Sequence, residues 1–343
     1  MAAIPSELKI DYKLFLNKTT NLFGESKTGK SFLILDILYH LAPHVEQIMV
    51  FSPNDQQNQI FAPKRVPLPM VHYVISPQIL EALWERQQAF TAVAKRAQNP
   101  VVLKRLFDRC EDGRAVEAVT MFAAKYRARI EELRRSGADV KITETEEEYQ
   151  RLIMTVYKKT ISAHEKRVGK LKLSEDEQFT LKYLNFNPNL VVVFDDCTDQ
   201  IKKFRTHPVI NKFYTMCRWV SITMINGMHT DKALEPEQKK GAFTSIWTEN
   251  SCANAYFERA SNNFAKEERL SALATVKMVF SPLAKFQKLI WVRDEKRFYR
   301  YTAVNHPGDW RVGSDEFWNF CMQIKSNGAS ACPDNQFMQG FLA

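Results

Sequence analysis

Short apolar runs bounded by turn residues alternate along this chain with longer stretches whose apolar positions fall three or four apart. KTTNLF (18–23) predicts a strand, and residues 30–42, carrying Phe32, Leu35, Leu38, Tyr39 and Leu41, predict a largely buried helix. EQIMVFSPN (46–54) predicts a strand ending in a Pro/Asn turn, and MVHYVI (70–75) another strand. SPQILEALWERQQAF (76–90) predicts a helix with Ser76 at the N-cap and Pro77 at the first helical position. Residues 95 to about 184 lack strand alternation and predict three or four helices, punctuated by Gly113, Gly137 and Gly169. NLVVVFDD (189–196) then predicts a buried strand ending in acid, HPVINKFYTMC (207–217) a helix and RWVSITMIN (218–226) a strand. FTSIW (243–247) predicts a short strand, 250–278 helix, and 286–302 a hairpin around Glu295. After residue 304 Gly, Ser, Asn and Pro increase among aromatic residues, which predicts a loosely held tail.

Strands separated by helices imply an α/β fold with a mainly parallel sheet and helices on both faces. The expected division is a first part of the core at 1–94, a helical insertion at 95–186 ahead of the acidic strand, a second part of the core at 187–304, and a tail at 305–343.

The sharpest chemical signal lies between the first predicted strand and the first predicted helix. Gly24-Glu25-Ser26-Lys27-Thr28-Gly29-Lys30-Ser31 fits the P-loop pattern G-x-x-x-x-G-K-[ST] without deviation. Gly24 and Gly29 let backbone approach phosphate oxygens that a side chain would block. The amides of the turn and of the helix start, through Phe32, favour negative charge. Lys30 is expected to reach the β- and γ-phosphates of ATP, and the Ser31 hydroxyl to ligate Mg²⁺.

A P-loop needs a carboxylate on a second strand, and Leu190-Val-Val-Val-Phe-Asp195-Asp196 supplies one. Asp195 is expected to hold Mg²⁺ through a water, and Asp196 to orient and deprotonate an attacking water. Hydrolytic P-loop ATPases usually carry Glu at the second position, one methylene longer. Thirty residues on, Asn226 is the candidate γ-phosphate sensor, with His229 second. Arg218, at the start of that predicted strand, lies at the opposite end of the sheet from its own nucleotide, so it is a candidate arginine finger for a neighbouring subunit. No Asn-Lys-x-Asp base-reading motif of GTPases is present. A nucleoside or nucleotide kinase, with the helical insertion as lid, and a non-hydrolysing nucleotide-binding scaffold remain alternatives.

Charge changes the picture at one place. Of the net charge of +9, residues 95–172 hold 19 Lys/Arg against 12 Asp/Glu. A polyanionic partner is one reading and a solvated helical face the other. The six cysteines include no C-x-x-C pair, which indicates neither a zinc ribbon nor a redox motif. The N-terminus lacks the pattern of a signal peptide, and the run LVVVF is too short to span a bilayer.

Together, GESKTGKS, the strand and turn MVFSPN, the helix LEALWERQ, the acidic strand VVVFDDC, the unit KFYTMCRWVSITMIN and the hairpin QKLIWVRD…FYRYT resemble a known family. It is that of the poxvirus-type genome-packaging ATPases of large double-stranded DNA viruses, within the HerA–FtsK superfamily. The resemblance covers roughly 18–90 and 187–302. It departs from the pattern in two ways: the family's sensor is usually Gln, where Asn226 or Gly227 stands here, and segment 95–172 is longer than the family core needs. The resemblance implies a RecA-like P-loop fold and ATP hydrolysis with Mg²⁺ by an oligomeric ring. It also implies translocation of double-stranded DNA into a capsid, contact with capsid or portal-vertex proteins, and a place at the viral assembly site in host cytoplasm or in the virion. Phosphate contacts are expected from the basic residues at 125, 127, 129, 134 and 135, or at 158, 159, 166 and 167. The aromatic tail residues Trp310, Phe317, Trp318 and Phe337 are expected either to pack on their own domain or to dock on a capsid or nuclease partner.

Overall fold

The computed structural model describes residues 4–137, 139–260, 262, 264–280 and 286–326. Its chain divides into two compact units, residues 1–91 with 188–343, and residues 92–187.

The first unit is built on one eight-stranded sheet in the order β3-β2-β4-β5-β1-β6-β7-β8. The strands are β1 (Thr19–Phe23), β2 (Gln47–Phe51), β3 (Val71–His72), β4 (Leu190–Asp195), β5 (Ile222–Met228), β6 (Thr244–Trp247), β7 (Gln287–Val292) and β8 (Arg297–Thr302). Strands β1 to β6 run parallel, and the β7–β8 hairpin is antiparallel at one edge. β5 lies between β1 and β4, so one strand separates the P-loop strand from the acidic strand. β1, β4 and β5 are buried at every position, as expected of central strands covered on both faces. β3 is shorter than MVHYVI predicts: Met70 closes a 3-10 turn at Leu68–Met70, and past His72 the backbone bonds to the Gln200 side chain, which accepts from Ile75 N and donates to Tyr73 O.

Around the sheet lie α1 (Lys30–Leu41), α2 (Asp55–Asn58) and α3 (Pro77–Ala97), the last running on into the second unit. The second unit holds α4 (Pro100–Asp108), α5 (Gly113–Arg135), α6 (Asp139–Ala163), α7 (Glu165–Val168) and α8 (Glu175–Lys182). The first unit resumes with α9 (Thr198–Phe204), α10 (Pro208–Met216), α11 (Pro236–Gly241), α12 (Asn250–Glu258), α13 (Lys266–Val279) and α14 (Asp315–Ser326). Segment 92–187 has its own small core, in which Leu103, Leu106 and Phe107 of α4 meet Ile153, Tyr157 and Ile161 of α6. A capping box at Ser174 and Glu177 starts α8, and Arg109 pairs with Glu177 at 3.0 Å.

Two expectations are corrected here. RWVSITMIN is not a strand throughout: Cys217–Val220 is a 3-10 turn, Ser221 is left-handed (φ +55), and the strand runs from Ile222 two residues past Asn226. The segment from 305 to 326 is not loose. Arg65 donates to the carbonyl oxygens of Gly308 and Trp310 and lies 4.3 Å from the Trp310 ring. The Trp318 indole donates to Val312 O at 2.8 Å, and Phe317 and Cys321 are buried. The Gly/Pro-rich composition therefore marks irregular backbone held by side chains. Phe337 lies outside the described residues.

Candidate nucleotide site

Register along the sheet brings the site together. Asp195 is paired with Gly227 across β4–β5, and Phe23 with Met228 across β1–β5. The P-loop, the two aspartates and the residues after Met228 thus leave the sheet at one edge, the C-terminal edge where parallel α/β folds place ligands.

The loop closes on itself through Gly24. Its N–H donates to Met228 O at 3.0 Å, and a Cβ there would lie 1.7 Å from Thr248 Oγ1, so no side chain fits. Gly29 has φ +85 and Lys27 φ +66, the left-handed backbone that an anion-binding nest of amides uses. Glu25, Ser26 and Lys27 are exposed, Thr28, Gly29 and Ser31 half-buried, and Phe32 exposed. Lys30 is 5 % exposed, and its Nζ donates to Gly24 O at 2.7 Å and Glu25 O at 2.9 Å.

The Ser31 hydroxyl donates to Asp195 Oδ2 at 2.8 Å. Asp195 Oδ1 is buried with no hydrogen-bond partner, and a Cβ on Gly227 would come within 3.0 Å of it. Burial pushes the Asp195 carboxyl up to about 7, with Asp196 adding to the rise and Ser31 and Lys30 opposing it. Asp196 sits just past the strand with φ +55, its N–H donating to Gly227 O at 3.1 Å. Its Oδ1 lies 3.5 Å from Lys30 Nζ and 3.4 Å from His229 Nε2, and its Oδ2 accepts from Asn54 at 3.2 Å. The lysine, the serine and both aspartates therefore converge. The fold is mainly parallel α/β with a RecA-like P-loop arrangement.

Asn226 is not part of this cluster. Side chains alternate between the faces of a strand. Gly227 shares a face with Asp195 and with Ile34 of α1, so Asn226 points to the other face, fully buried, and donates to Asn21 Oδ1 at 3.2 Å. His229 is the polar residue that follows the strand into the site, 3.4 Å from Lys30 Nζ through Nδ1. Its backbone is pinned by Thr198 Oγ1, which accepts from His229 N at 2.9 Å, and by Cys252, whose thiol donates to His229 O. Arg218 is exposed in the turn before β5 and lies 4.8 Å from the Trp219 ring and 5.7 Å from that of Phe243. Seven strand residues separate it from the loop edge, roughly 20 Å at ~3.3 Å per residue, so it does not reach this P-loop.

Sequence reasoning missed the residues that grip the loop from behind. Thr248 Oγ1 meets Thr28 Oγ1 at 2.6 Å, and Glu249 accepts the Glu25 amide at 2.7 Å. Lys288 of β7 is 1 % exposed and donates to Thr28 O. Burial lowers its ammonium to about 8, Glu249 opposing and Lys30 adding to the fall. Asn54, which the sequence marks only as a turn residue, donates to Asp196. No local pattern marks Lys288, which lies in a run that otherwise reads as a buried strand.

In the second unit, Lys125, Arg127, Arg129, Arg134 and Arg135 are exposed on α5, with Arg129 3.9 Å from Glu148 of α6. Arg167 donates to the carbonyl oxygens of Arg109 and Cys110 and lies 3.9 Å from Glu111, so it is occupied in fixing the end of α4. Burial lowers the pKa of Lys158. Among the described residues no helix is long and apolar enough to cross a membrane.

No protein-family model matches the chain. It is 28% identical over 350 residues to the protein named Uncharacterized protein B354L of African swine fever virus, isolate Pig/Kenya/KEN-50/1950. The alignment covers 98% of this chain and 96% of the relative, and the same figures hold for strain Badajoz 1971 Vero-adapted. That name assigns the relatives no activity. Among solved structures, the chain is similar to the genome packaging NTPase B204 from Sulfolobus turreted icosahedral virus 2 in complex with sulfate. There the identity is 13% and the TM-score 0.41, over 84% of this chain and 98% of that one. It is also similar to EssC (ATPases 2 and 3) from Geobacillus thermodenitrificans, at 13% identity and TM-score 0.36, over 91% of this chain and 44% of that one.

Proposed function

We propose that this chain is an ATP-hydrolysing motor that moves double-stranded viral DNA into a capsid. The observation that carries the hydrolytic half is the convergence of two pairs at one sheet edge, Ser31 hydrogen-bonded to Asp195 and Lys30 within ion-pair distance of Asp196. The loop amides from Ser26 to Phe32 receive the phosphates, the Glu25 amide being held by Glu249, and Lys30 turns from the loop carbonyls toward the β- and γ-phosphates. The residues fit Mg²⁺. Ser31 offers a hydroxyl, and Asp195 Oδ1 is a buried acceptor that no protein group satisfies. Ser31 and Asp195 would hold the ion, which supplies charge neutralisation at the phosphates when bound.

Asp196 orients a water for in-line attack on the γ-phosphorus and takes its proton as the new P–O bond forms and the bond to the β-phosphate oxygen breaks. Asn54 and His229 fix the Asp196 carboxylate from two sides, and His229 replaces Asn226 as the residue that senses the γ-phosphate. Arg218 serves the nucleotide of a neighbouring subunit in a homo-oligomeric ring, because it lies too far from its own.

The DNA half rests on the family resemblance, on viral relatives, and on the exposed basic residues of α5, which suit phosphate contact on any sequence. Arg167 is withdrawn by its structural bonds from the alternative set at 158, 159, 166 and 167. Capsid or portal-vertex proteins are the proposed docking partners, and the viral assembly site in host cytoplasm, or the virion, the location. The test is phosphate release from ATP with and without duplex DNA, for wild type and Asp196→Asn. Release that duplex DNA stimulates and Asp196→Asn abolishes is expected. Release indifferent to DNA removes the motor, and a phosphorylated nucleoside as product replaces it with a kinase.

A further inference from the structure

Away from the phosphates, α1 takes part in a second cluster of ionisable side chains. Asp36 and His40 are four residues apart on this helix and so share a face. His306, from the segment after β8, comes down onto the same face. Its Nε2 is 2.7 Å from Asp36 Oδ1, while His40 Nε2 is 3.7 Å from that same oxygen. One ligand atom from each of the three side chains lies within 4.8 Å of the others.

The surroundings orient these groups as outer-shell partners orient metal ligands. Asp36 Oδ2 accepts from the Tyr301 hydroxyl at 2.7 Å and from Val304 N at 3.0 Å, which leaves Oδ1 to face the imidazoles. Tyr39 stacks flat on His306 with ring centroids 3.7 Å apart and planes 5° from parallel. The His40 ring stands at 89° to that of His306.

We propose that Asp36, His40 and His306 bind one divalent transition-metal ion, zinc by their ligand chemistry, which fastens the segment after β8 to the P-loop helix. His40 decides the argument. A hydrogen bond from His306, with those from Tyr301 and Val304, already satisfies Asp36, so a purely structural carboxylate has no need of His40. A separation of 3.7 Å is too long for a hydrogen bond. It is close to the edge, roughly 3.4 Å, of a tetrahedron with metal–ligand bonds of about 2.0–2.1 Å. Closing on the ion requires His306 and Asp36 to part by less than about 1 Å and His306 to ligate as the neutral ring. Two imidazoles and one carboxylate suit zinc better than magnesium or calcium, which prefer all-oxygen shells. The His40 side chain is 32% exposed and that of His306 15%, so water has access to a fourth position.

The site is separate from the phosphate cradle. Asp36 lies six residues along α1 from Lys30, roughly 9 Å at ~1.5 Å per residue.

The test uses the full chain, stripped with a chelator and held in excess Mg²⁺. Titration with Co²⁺, read by visible absorption, and Zn²⁺ equilibrium dialysis should give one equivalent per chain, and Zn²⁺ should raise the melting temperature. His40→Gln should melt close to the stripped wild type yet bind the ion roughly tenfold or more weakly, because a ligand is lost and only edge-on ring contacts with Tyr39 and His306 go with it. His306→Gln should lose the ion and also melt earlier. Sub-stoichiometric zinc in the wild type, or full binding retained by His40→Gln, overturns the proposal and leaves an Asp36–His306 hydrogen bond alone.

Discussion

Removing the charge of Asp195 should stabilise the nucleotide-free protein at pH 8 and not at pH 5. The carboxyl is 2 % exposed, and burial raises it from 3.8 to about 7. Between those values the folded chain keeps a proton that the unfolded chain has released, so stability falls as pH rises through this window. Three units at ~1.4 kcal/mol each make the charged group a liability of about 4 kcal/mol above pH 7. Asp195→Asn escapes it. The new amide can still accept from Ser31, but its NH₂ takes the place of the unpartnered Oδ1 and costs about 1–3 kcal/mol as a buried unpaired donor. The net gain at pH 8 is therefore on the order of 1–3 kcal/mol, vanishing or reversing near pH 5, where the wild-type carboxyl is protonated. Urea unfolding in a chelator without nucleotide measures it. All six tryptophans lie in the sheet unit, so their fluorescence reports that unit alone. With Mg-ATP added the order should invert, because only the wild type gains binding energy. A wild type at least as stable as Asp195→Asn at pH 8, or a gap that ignores pH, refutes the reasoning that this acid is held uncompensated for a cation.

Gly24→Ala places a methyl 1.7 Å from Thr248 Oγ1 and should destabilise the sheet unit by about 1–3 kcal/mol and remove nucleotide binding. Thr248→Ala in the same chain should recover part of the melting temperature; no recovery would locate the clash elsewhere. Lys288→Met keeps the side-chain bulk but loses the bond to Thr28 O, and should raise the dissociation constant for ATP about tenfold, as expected for ~1.4 kcal/mol. The wild type should also gain stability as pH rises from about 8 toward 10.5, where the buried ammonium deprotonates before the unfolded one, and Lys288→Met should flatten that slope. Arg218→Ala should spare ATP binding but slow phosphate release, and mixing it with Asp196→Asn protein should restore part of the rate; a monomer in sedimentation with no rescue removes the ring.

The loop 24–31, the helix it opens and the apolar run ending in Asp195 and Asp196 were legible because each is a local pattern. Glycine spacing, a lysine and a hydroxyl define the first, and an unbroken apolar run with a terminal acid the last. Whether those two places meet depends on strand order, and β5 between β1 and β4 is fixed by a pairing with β1 more than two hundred residues away in sequence as well as by the nearer one with β4. The choice between Asn226 and His229 failed locally for a physical reason. A strand's end is set by its neighbours, and β5 pairs with β1 as far as Met228, so alternation turns Asn226 toward the opposite face and carries His229 to Asp196.

Sequence by itself marked the candidate phosphate site, since the P-loop pattern and its carboxylate partners are written in consecutive residues whose backbone needs are local. Tertiary structure alone decided which distant side chains serve them. Thr248, Glu249 and Lys288 behind the loop, Asn54 beside Asp196, and His306 over Asp36 arrive from separate elements. Their closeness follows from register and from the burial of apolar faces, to which no short stretch of sequence has access.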